Sequence, residues 1–478
     1  MTEIAERLDA IDWSKLTRRL RGAVVQSGDE RMVLAGKQHS AGKPLSFPRA
    51  LLRCQGVDDV RASLDFLTSQ RVPFSVRSGG HCFGDLSSSD SVIIDLSEMN
   101  QVVPENESVR VGPGALSEHL SRTLASHGRV IPTGGCPWVA IGGLSLAGGF
   151  GFLGRRYGLT TDQVEGMQVV TAEGRVLEVS ADDEPDLFWA LRGAGTAGLG
   201  IVSELVLRTW PLHEMTICRG AWGLKHAVGL IDRWQHWTSE VSNRVNLELG
   251  LYGPDYSDQA SYIELFGIVL GDQGETAAQL REVRSFLGPL ARKLQTWALP
   301  GKIAADYLVG LLNHNVQKAW EPSRPYREIG YQFTRSDFFD EPLSIEAIRD
   351  CIARFKADWR YAQFREVEIV PWGGEYARQN PSACFIHRAP RMLIRHTVLL
   401  GAHSSQDLRD HGREWVDASQ GTLRPHANRH AYQGYADIRL DNWAHAYYGD
   451  TYSRLQRIKG YYDPRNLFHH AQSIHPLP

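Results

Sequence analysis

The segment from Gly134 to Leu159 decides the fold of this chain. It begins Gly134-Gly-Cys136-Pro-Trp-Val139-Ala-Ile-Gly142-Gly143 and continues through Leu146-Ala-Gly148-Gly149-Phe-Gly151-Phe-Leu-Gly154 to Arg155-Arg-Tyr-Gly158-Leu159. Glycines are this dense where a backbone has to approach another group closely, because glycine has no Cβ. We therefore expect this segment to line a binding site in the first part of the chain.

A second loop upstream points the same way. Residues Pro73-Phe-Ser-Val-Arg77-Ser78-Gly79-Gly80-His81 pass from a strand-like run into a tight polar turn. Backbone N–H groups in such a turn can cradle a phosphate, and Arg77 would add positive charge. The two loops together favour a phosphate-bearing cofactor.

The length of 478 residues favours two lobes, since single cores stop growing near about 250–300 residues. From about residue 50 to residue 210, short strands such as Ser91-Val-Ile-Ile-Asp-Leu alternate with helical patterns. One example is the apolar spacing of Val60, Leu64 and Leu67. This region is typical of a mixed α/β lobe.

Beyond Trp210-Pro211 the pattern changes to longer alternating runs. The apolar residues Val245, Leu247, Leu249 and Leu251 are separated by Asn246, Glu248 and Gly250. Such alternation predicts a strand in a sheet with one buried face. Residues 261–270 and 364–370 are predicted companion strands, and residues 275–287 and 344–355 are predicted helices. We expect an α+β fold in which a large antiparallel sheet is covered by helices.

Composition excludes several classes of protein. The 52 basic and 55 acidic residues give a formal net charge of -3, which provides no field for nucleic acid or an anionic membrane. No apolar run is long enough to span a bilayer, and the first residues lack the basic and apolar stretches of a secretory signal, so a cytoplasmic location is expected. The six cysteines contain no CxxC pair, which argues against zinc and against a disulfide framework.

Three shorter motifs point to other chemistries, and each is incomplete. They are Gly149-Phe-Gly151-Phe-Leu-Gly154 with Glu173, Gly143-Leu-Ser145-Leu-Ala147, and the histidines at 469, 470 and 475. The first has dinucleotide-binding spacing, but no convincing strand precedes it and Gly158 interrupts the helix that should follow. The second has Ala147 where a nucleophile elbow needs glycine. The histidines lack the framework of a metal site, and no metal is expected.

Taken with the terminal stretch Tyr462-Asp-Pro-Arg-Asn466-Leu-Phe468, the two loops resemble the berberine-bridge-enzyme-like FAD-linked oxidases, which have the vanillyl-alcohol-oxidase, or PCMH, type of FAD-binding fold. In that family an RSGGH loop carries a histidine bonded to the flavin 8-methyl carbon, which implies His81. A cysteine in a GxCPxVGxGG segment bonds flavin C6, which implies Cys136. The resemblance therefore implies FAD held by two covalent bonds.

The resemblance also implies two domains and a set of residues around FAD. The FAD-binding domain would span residues 1–212 and be completed by residues 425–478, and the substrate-binding domain would span residues 213–424. The implied cofactor-binding residues are Arg77, Ser78, Gly79, Gly80, His81, Cys136, Val139, Gly142, Gly143, Gly148, Gly149, Gly151, Gly200, Ile201, Val202, Asn466 and Phe468.

On the substrate side, the segment Ala431-Tyr432-Gln433-Gly434-Tyr435-Ala436-Asp437 is similar to the family's YxNYxD strand, with glycine in place of asparagine. The similarity implies that Tyr435 faces the flavin and acts as the base. Tyrosine has an ordinary pKa near 10 and therefore needs a nearby cation or donor for this role. Arg395 and His396 point opposite ways on a predicted strand, so only one reaches the cleft. Tyr435, Tyr432 and His396 are the predicted catalytic residues.

The activity implied is oxidation of a small-molecule alcohol, hemiacetal or related natural-product intermediate, with O2 as acceptor and H2O2 as product. Val139 matches a position that gates oxygen, where valine is associated with oxidases. Alkaloid-oxidising members carry a glutamate where this chain has Leu399-Leu-Gly-Ala402, which disfavours alkaloid ring closure. Together with the expected cytoplasmic location, this favours a bacterial-type tailoring enzyme of secondary metabolism over a secreted sugar oxidase. A flavin dehydrogenase, a carbohydrate oxidase and a non-enzymatic flavin-binding partner protein stay open as alternatives. The protein is expected to be a monomer or homodimer.

Overall fold

The computed structural model describes residue 8 and residues 10–32, 48–306, 308–310 and 330–477. The strands of the first lobe are β1 (Ala23–Gln26), β2 (Ala50–Arg53), β3 (Phe74–Arg77), β4 (Val92–Asp95), β5 (Val102–Pro104), β6 (Ser108–Val111), β7 (Arg129–Val130), β8 (Val164–Val170), β9 (Val176–Ser180), β10 (Ile201–Arg208) and β11 (Trp210–Pro211). Those that follow are β12 (Met215–Gly223), β13 (Val245–Gly253), β14 (Tyr262–Leu270), β15 (Gln295–Leu299), β16 (Tyr331–Phe339), β17 (Gln363–Pro371) and β18 (Met392–Leu400).

Helices connect and cover these strands. They are α1 (Ser14–Thr17), α2 (Val57–Ser69), α3 (Ser117–Ser126), α4 (Ile141–Ala147), α5 (Gly154–Tyr157), α6 (Pro185–Ala194), α7 (Ala227–Trp237), α8 (Gln273–Leu287), α9 (Ile345–Lys356), α10 (Gln406–Leu423), α11 (Trp443–Tyr448) and α12 (Tyr452–Tyr462). The predicted helices at 275–287 and 344–355 correspond to α8 and α9. Helix α9 begins after Ser344, whose hydroxyl accepts a hydrogen bond from the Ala347 N–H at 3.1 Å, as an N-cap should.

The first lobe contains two main sheets and a two-stranded ribbon of β7 and β11. Strands β2, β4 and β3 run parallel, with β1 antiparallel at the edge. The second sheet is antiparallel in the order β5-β6-β10-β8-β9. Helix α2 buries Val60, Leu64 and Leu67 in the core beside the first sheet, as their spacing predicts. This is the mixed lobe expected from the alternation of short strands and helices.

The second part of the chain forms a seven-stranded antiparallel sheet in the order β15-β12-β14-β13-β17-β18-β16. Apolar side chains on one face form a core with helices α7, α8, α9 and α10. The α+β fold with a large helix-covered antiparallel sheet is thus confirmed.

The expectation that this sheet has only one buried face is wrong. All nine residues of β13 are buried, because the face carrying Asn246, Glu248 and Gly250 lies against the first lobe. The Asn246 amide donates to the carbonyl oxygens of Gly151 and Phe152 at 3.2 and 3.1 Å. The polar positions of the alternating pattern therefore mark an interior face and not a solvent-exposed one.

The end of the chain returns to the first lobe. Residues from Ala431 to Ile474 share a hydrophobic core with β6, β8, β10 and α6. The domain limits at residues 212 and 425 stay predictions, although this packing is the arrangement they require. Among the described residues, no helix combines the length and apolar character that a membrane crossing needs.

Candidate active site

The loop that carries His81 follows strand β3. Ser78, Gly79, Gly80 and His81 leave the strand and run along the wall of a cavity. Gly79 is required by packing, since a Cβ there would lie 2.7 Å from the Cβ of Ala140. This close approach fixes the His81 loop against the loop that carries Cys136.

The Cys136 loop is anchored just before helix α4. Both the backbone N–H and the hydroxyl of Ser117 donate to the Val139 carbonyl oxygen, at 2.8 and 2.9 Å. Cys136 Sγ then lies 3.2 Å from His81 Nε2. An imidazole nitrogen and a thiol are thus side by side at half-buried positions on one wall of the cavity.

The cavity has a volume of about 870 Å³ and is lined by both the first lobe and the seven-stranded sheet. Its walls contain most of the predicted site residues, namely Ser78, Gly79, Gly80, His81, Cys136, Val139, Gly142, Gly143, Gly151, Gly200, Ile201, Val202, Tyr432, Tyr435 and Phe468. A Cβ at Gly143 would meet no atom within 4 Å and would stand in open space on this wall. The volume and the bare backbone fit a large cofactor, and two nucleophilic side chains lie beside the space that it would occupy.

Arg77 does not line this cavity, contrary to the prediction. Its side chain is 5% exposed and donates to the Ser88 hydroxyl at 3.2 Å and to the Ser87 carbonyl oxygen at 3.3 Å. Burial lowers the pKa of the guanidinium, and the neighbouring Asp95 opposes this. Arg77 therefore stabilises the loop that follows His81 and does not face the cavity.

Gly148 and Gly149 also lie outside the cavity lining, and packing explains both. Each has a positive φ, and a Cβ at Gly148 would come within 2.7 Å of the Phe385 ring. The Gly149 N–H donates to the Tyr432 hydroxyl at 2.8 Å. These glycines were predicted to contact the cofactor, and instead they let the glycine-rich segment approach the aromatic side chains behind it.

Asn466 was predicted to contact the cofactor but is a turn residue outside the cavity lining. It has a φ of 50° and follows Asp463, whose carboxylate accepts from the N–H groups of Leu467 and Phe468 at 2.7 and 2.8 Å. Lys459 is fully buried beside Asp463, at 2.7 Å. This turn places Phe468 at the cavity.

His396 lies on the wrong face of its strand for the predicted catalytic role. It is 1% exposed, and its Nδ1 is 2.9 Å from the Ser419 hydroxyl of helix α10. Burial lowers the pKa of His396 to about 3, so the ring is neutral. Because neighbouring residues of a strand face opposite ways, it is Arg395 that lines the cavity.

Tyr432 and Tyr435 lie at the cavity, but not on a strand. Residues Gln433–Tyr435 form a single 3₁₀ turn, which brings the two rings edge to face with centroids 5.1 Å apart. The turn is held by His387 Nε2, 3.1 Å from Gln433 Oε1. A Cβ at Gly434 would lie 2.4 Å from the Tyr432 ring, which explains glycine where asparagine is usual.

Tyr435 connects the predicted attachment site to a group of charges. Its ring stacks on Phe83 with centroids 5.1 Å apart, and Phe83 lies 5.7 Å from the His81 ring. The Arg395 guanidinium carbon lies 5.1 Å from the centroid of the same ring. Burial raises the pKa of Tyr435 well above its usual value, while Arg395 acts to lower it.

The carboxylates around Arg395 were not predicted from the sequence. Arg395 Nη2 lies 3.1 Å from Glu366 Oε2 and 2.9 Å from Glu368 Oε2, and Glu248 is nearby on β13. Glu366 and Glu368 are two apart in a fully buried strand, so their side chains share one face. The two-residue spacing of these acids within a buried strand is the sequence feature from which they could have been predicted.

Comparison with known proteins identifies the class. An FAD binding domain matches residues 48–180, and a domain described as berberine and berberine like matches residues 431–475. The FAD-linked oxidoreductase YgaK of Bacillus subtilis is 26% identical over 443 residues, which cover 90% of this chain and 92% of YgaK. A carbohydrate oxidase of Microdochium nivale is 25% identical, with 90% of this chain and 88% of that protein covered.

A solved structure agrees in fold. Berberine-bridge-enzyme-like 1 of Physcomitrella patens superposes with a TM-score of 0.85 at 23% identity, covering 98% of this chain and all of that one. The fold, the cavity and these matches define an FAD-dependent oxidoreductase. Within that class, its two matched domains, its relatives and the superposed structure make the chain similar to berberine-bridge-enzyme-like proteins.

Proposed function

We propose that this protein is an oxidase whose FAD is attached through both His81 and Cys136. The observation that supports this proposal is the 3.2 Å separation of His81 Nε2 and Cys136 Sγ on the cavity wall. Two nucleophiles this close can reach neighbouring positions of one ring system, as double attachment requires. FAD, when bound, supplies the two-electron acceptor and in an oxidase passes the electrons to O2, which becomes H2O2.

The substrate is proposed to be a small alcohol, hemiacetal or related intermediate of secondary metabolism. Tyr435 is the proposed base, which takes the hydroxyl proton of the substrate as the adjacent C–H hydrogen leaves with two electrons. Arg395 supports this role, because its charge stabilises the phenolate against burial and the nearby glutamates. Tyr432 is a weaker choice, since its hydroxyl already accepts the Gly149 N–H.

Carbohydrate oxidation is a second candidate, favoured by the likeness to the Microdochium nivale enzyme. A panel of aldoses, benzylic alcohols and glycosides, mixed anaerobically with the holoenzyme, would separate the two by which compounds bleach the flavin. Admission of air should restore the oxidised spectrum within seconds and yield one H2O2 per substrate. Bleaching that persists for minutes in air would instead support a dehydrogenase. Absence of bleaching by every compound would support a flavin-binding partner protein.

A further inference from the structure

The cavity face of the seven-stranded sheet carries an acidic cluster, defined here as Glu248, Glu366, Glu368 and Arg395. Arg395 lies directly opposite Glu368 in the register of β17 and β18, and its Nη2 contacts both Glu366 and Glu368. Glu248 lies two residues from Gly250, which pairs with Glu368, so it shares the same face. One guanidinium thus faces three carboxyl groups.

Two of these carboxyl groups have unused hydrogen-bonding capacity. Glu248 is 2% exposed and lines the cavity, yet its carboxyl forms no hydrogen bond or ion pair with any described residue. Glu368 is 1% exposed, and its Oε1 has no hydrogen-bond partner among the described atoms. Buried polar groups are almost always paired, so the unpaired Glu248 carboxyl on the cavity wall is available to a ligand, while Glu368 lies behind the lining and contacts Arg395.

The cluster also lies next to the proposed reaction centre. Contacts run from Arg395 to the Tyr435 ring, from Tyr435 to Phe83, and from Phe83 to His81, with each spacing below 6 Å. A substrate that is oxidised near Tyr435 would therefore have another part of its structure within reach of Glu248 and Glu366.

We propose that the acidic cluster binds a protonated amine of the substrate, so that the enzyme acts on amine-bearing alcohols such as amino sugars or amino alcohols. This inference rests on the proposed function. An ammonium group is a compact cation with three donors and no acceptor, which matches separate carboxylate oxygens. A neutral polyol of the same shape would bring no positive charge to these carboxyl groups.

The same arrangement makes the proposed amine binding depend on pH. Burial and the neighbouring glutamates raise the pKa of Glu248, and burial raises the pKa of Glu368 to about 7. The charged and titratable groups interacting within this region are Glu248, Glu264, Glu366, Glu368, Arg219, Arg395, Tyr252, Tyr262, Tyr376, Tyr432 and Tyr435. Without a ligand, protons partly neutralise the carboxyls. A bound ammonium would displace them, so amine affinity should rise with pH through about 7.

The test uses pairs of compounds that differ only in the amine. They are 4-(aminomethyl)benzyl alcohol against 1,4-benzenedimethanol, and 2-aminoethyl glucoside against 2-hydroxyethyl glucoside. Alkylamines of this kind are protonated through neutral pH, as a lysine side chain is. Each is titrated anaerobically into the holoenzyme, with perturbation of flavin absorbance as the readout of binding. We expect the amine member of at least one pair to bind about tenfold more tightly at pH 8, and this preference to shrink at pH 5.

Isosteric variants assign the effect to the cluster. Glu248→Gln and Glu366→Gln should each remove most of the amine preference and leave binding of the neutral member within about twofold. Glu264→Gln is the matched control, because Glu264 is also buried in this sheet, on β14, but pairs with Arg219 and does not line the cavity. It should keep the preference.

Equal binding within both pairs, no flavin perturbation by either amine, or a preference that survives in both cluster variants would overturn the proposal. These outcomes are distinct from failure of the oxidase function, since binding is measured without turnover or oxygen. A holoenzyme that prefers amines but is not reoxidised in air would contradict only the proposed oxidase function. One that oxidises neutral alcohols without amine preference would contradict only the amine site.

Discussion

His81 Nε2 and Cys136 Sγ lie 3.2 Å apart, although the two residues are 55 positions apart in the chain. We predict that acid precipitation leaves flavin on the polypeptide in the wild type and in the His81→Ala and Cys136→Ala variants, because each variant keeps one bond. The double variant should release all flavin. Flavin fluorescence and absorbance of the washed precipitate measure this.

Cys384→Ala is the control for the attachment experiment. Cys384 is a buried thiol near Ala190, and burial raises its pKa, so it should be inert. Full flavin retention in the His81 and Cys136 double variant would contradict both assignments. Loss of all flavin from one single variant would show that the other residue forms no bond.

Val139 lines the cavity three residues after Cys136, on a loop held by Ser117. The added bulk in Val139→Leu should obstruct oxygen and slow reoxidation of the reduced flavin by about tenfold, or ~1.4 kcal/mol of barrier. Reduction by substrate should change far less. Stopped-flow measurement of both half-reactions checks this, with Val139→Ala as the control that should not slow reoxidation. Equal slowing of both steps in the leucine variant would argue against a gate.

The turn that places Phe468 depends on a fully buried ion pair between Lys459 and Asp463. Lys459 Nζ also donates to the carbonyl oxygens of Gly198 and Phe468, at distances of 2.5 and 2.7 Å. Lys459→Met leaves the Asp463 charge unpaired and should destabilise the fold by about 3–5 kcal/mol. Thermal or urea unfolding would measure the loss.

An exposed pair provides the control for that loss. Arg208 and Glu165 contact each other at 2.9 Å while both are largely solvated. Arg208→Met should therefore cost less than about 1 kcal/mol. If both methionine variants lost similar stability, the buried pair would have no special part in holding the turn.

Features of the fold and the site could be predicted from the sequence where a few adjacent residues determine them. The loops of His81 and Cys136 are continuous motifs, so their positions on the wall followed from a few adjacent residues. The alternation in β13 was correct as a strand pattern, but it looks the same whether the polar face meets water or another lobe. Glu248 lines the cavity only because the two lobes pack against each other, which the sequence pattern does not show.

The choice between Arg395 and His396 shows the same limit. Alternation along β18 established that only one of them could face the cleft, whereas the direction was set by which face α10 covers. The turn at Gln433–Tyr435 was predicted as a strand from family likeness. Contacts distant in sequence, such as His387 with Gln433, hold the turn instead.

The pH dependence of flavin reduction tests the proposed base. Burial raises the pKa of Tyr435 well above 10, so the phenol is protonated at neutral pH and the reactive phenolate grows as pH rises. The rate of reduction should therefore increase on the alkaline side. Tyr435→Phe removes the acceptor but keeps the ring, and should slow reduction by about 10²–10⁴-fold and flatten this rise. Anaerobic stopped-flow across pH measures it, and flavin attachment should be unchanged.

Arg395→Gln should move the alkaline rise in rate to higher pH, since the cation that favours the Tyr435 phenolate is lost. Tyr432→Phe and His396→Ala are the necessary controls. Tyr432 is committed to the Gly149 N–H, and His396 faces α10, so both variants should retain the pH dependence even where stability falls. If Tyr435→Phe were reduced at near wild-type speed while Tyr432→Phe lost the alkaline rise, the base would be Tyr432. The proposed attachment of the flavin at His81 and Cys136 would be unaffected by that result.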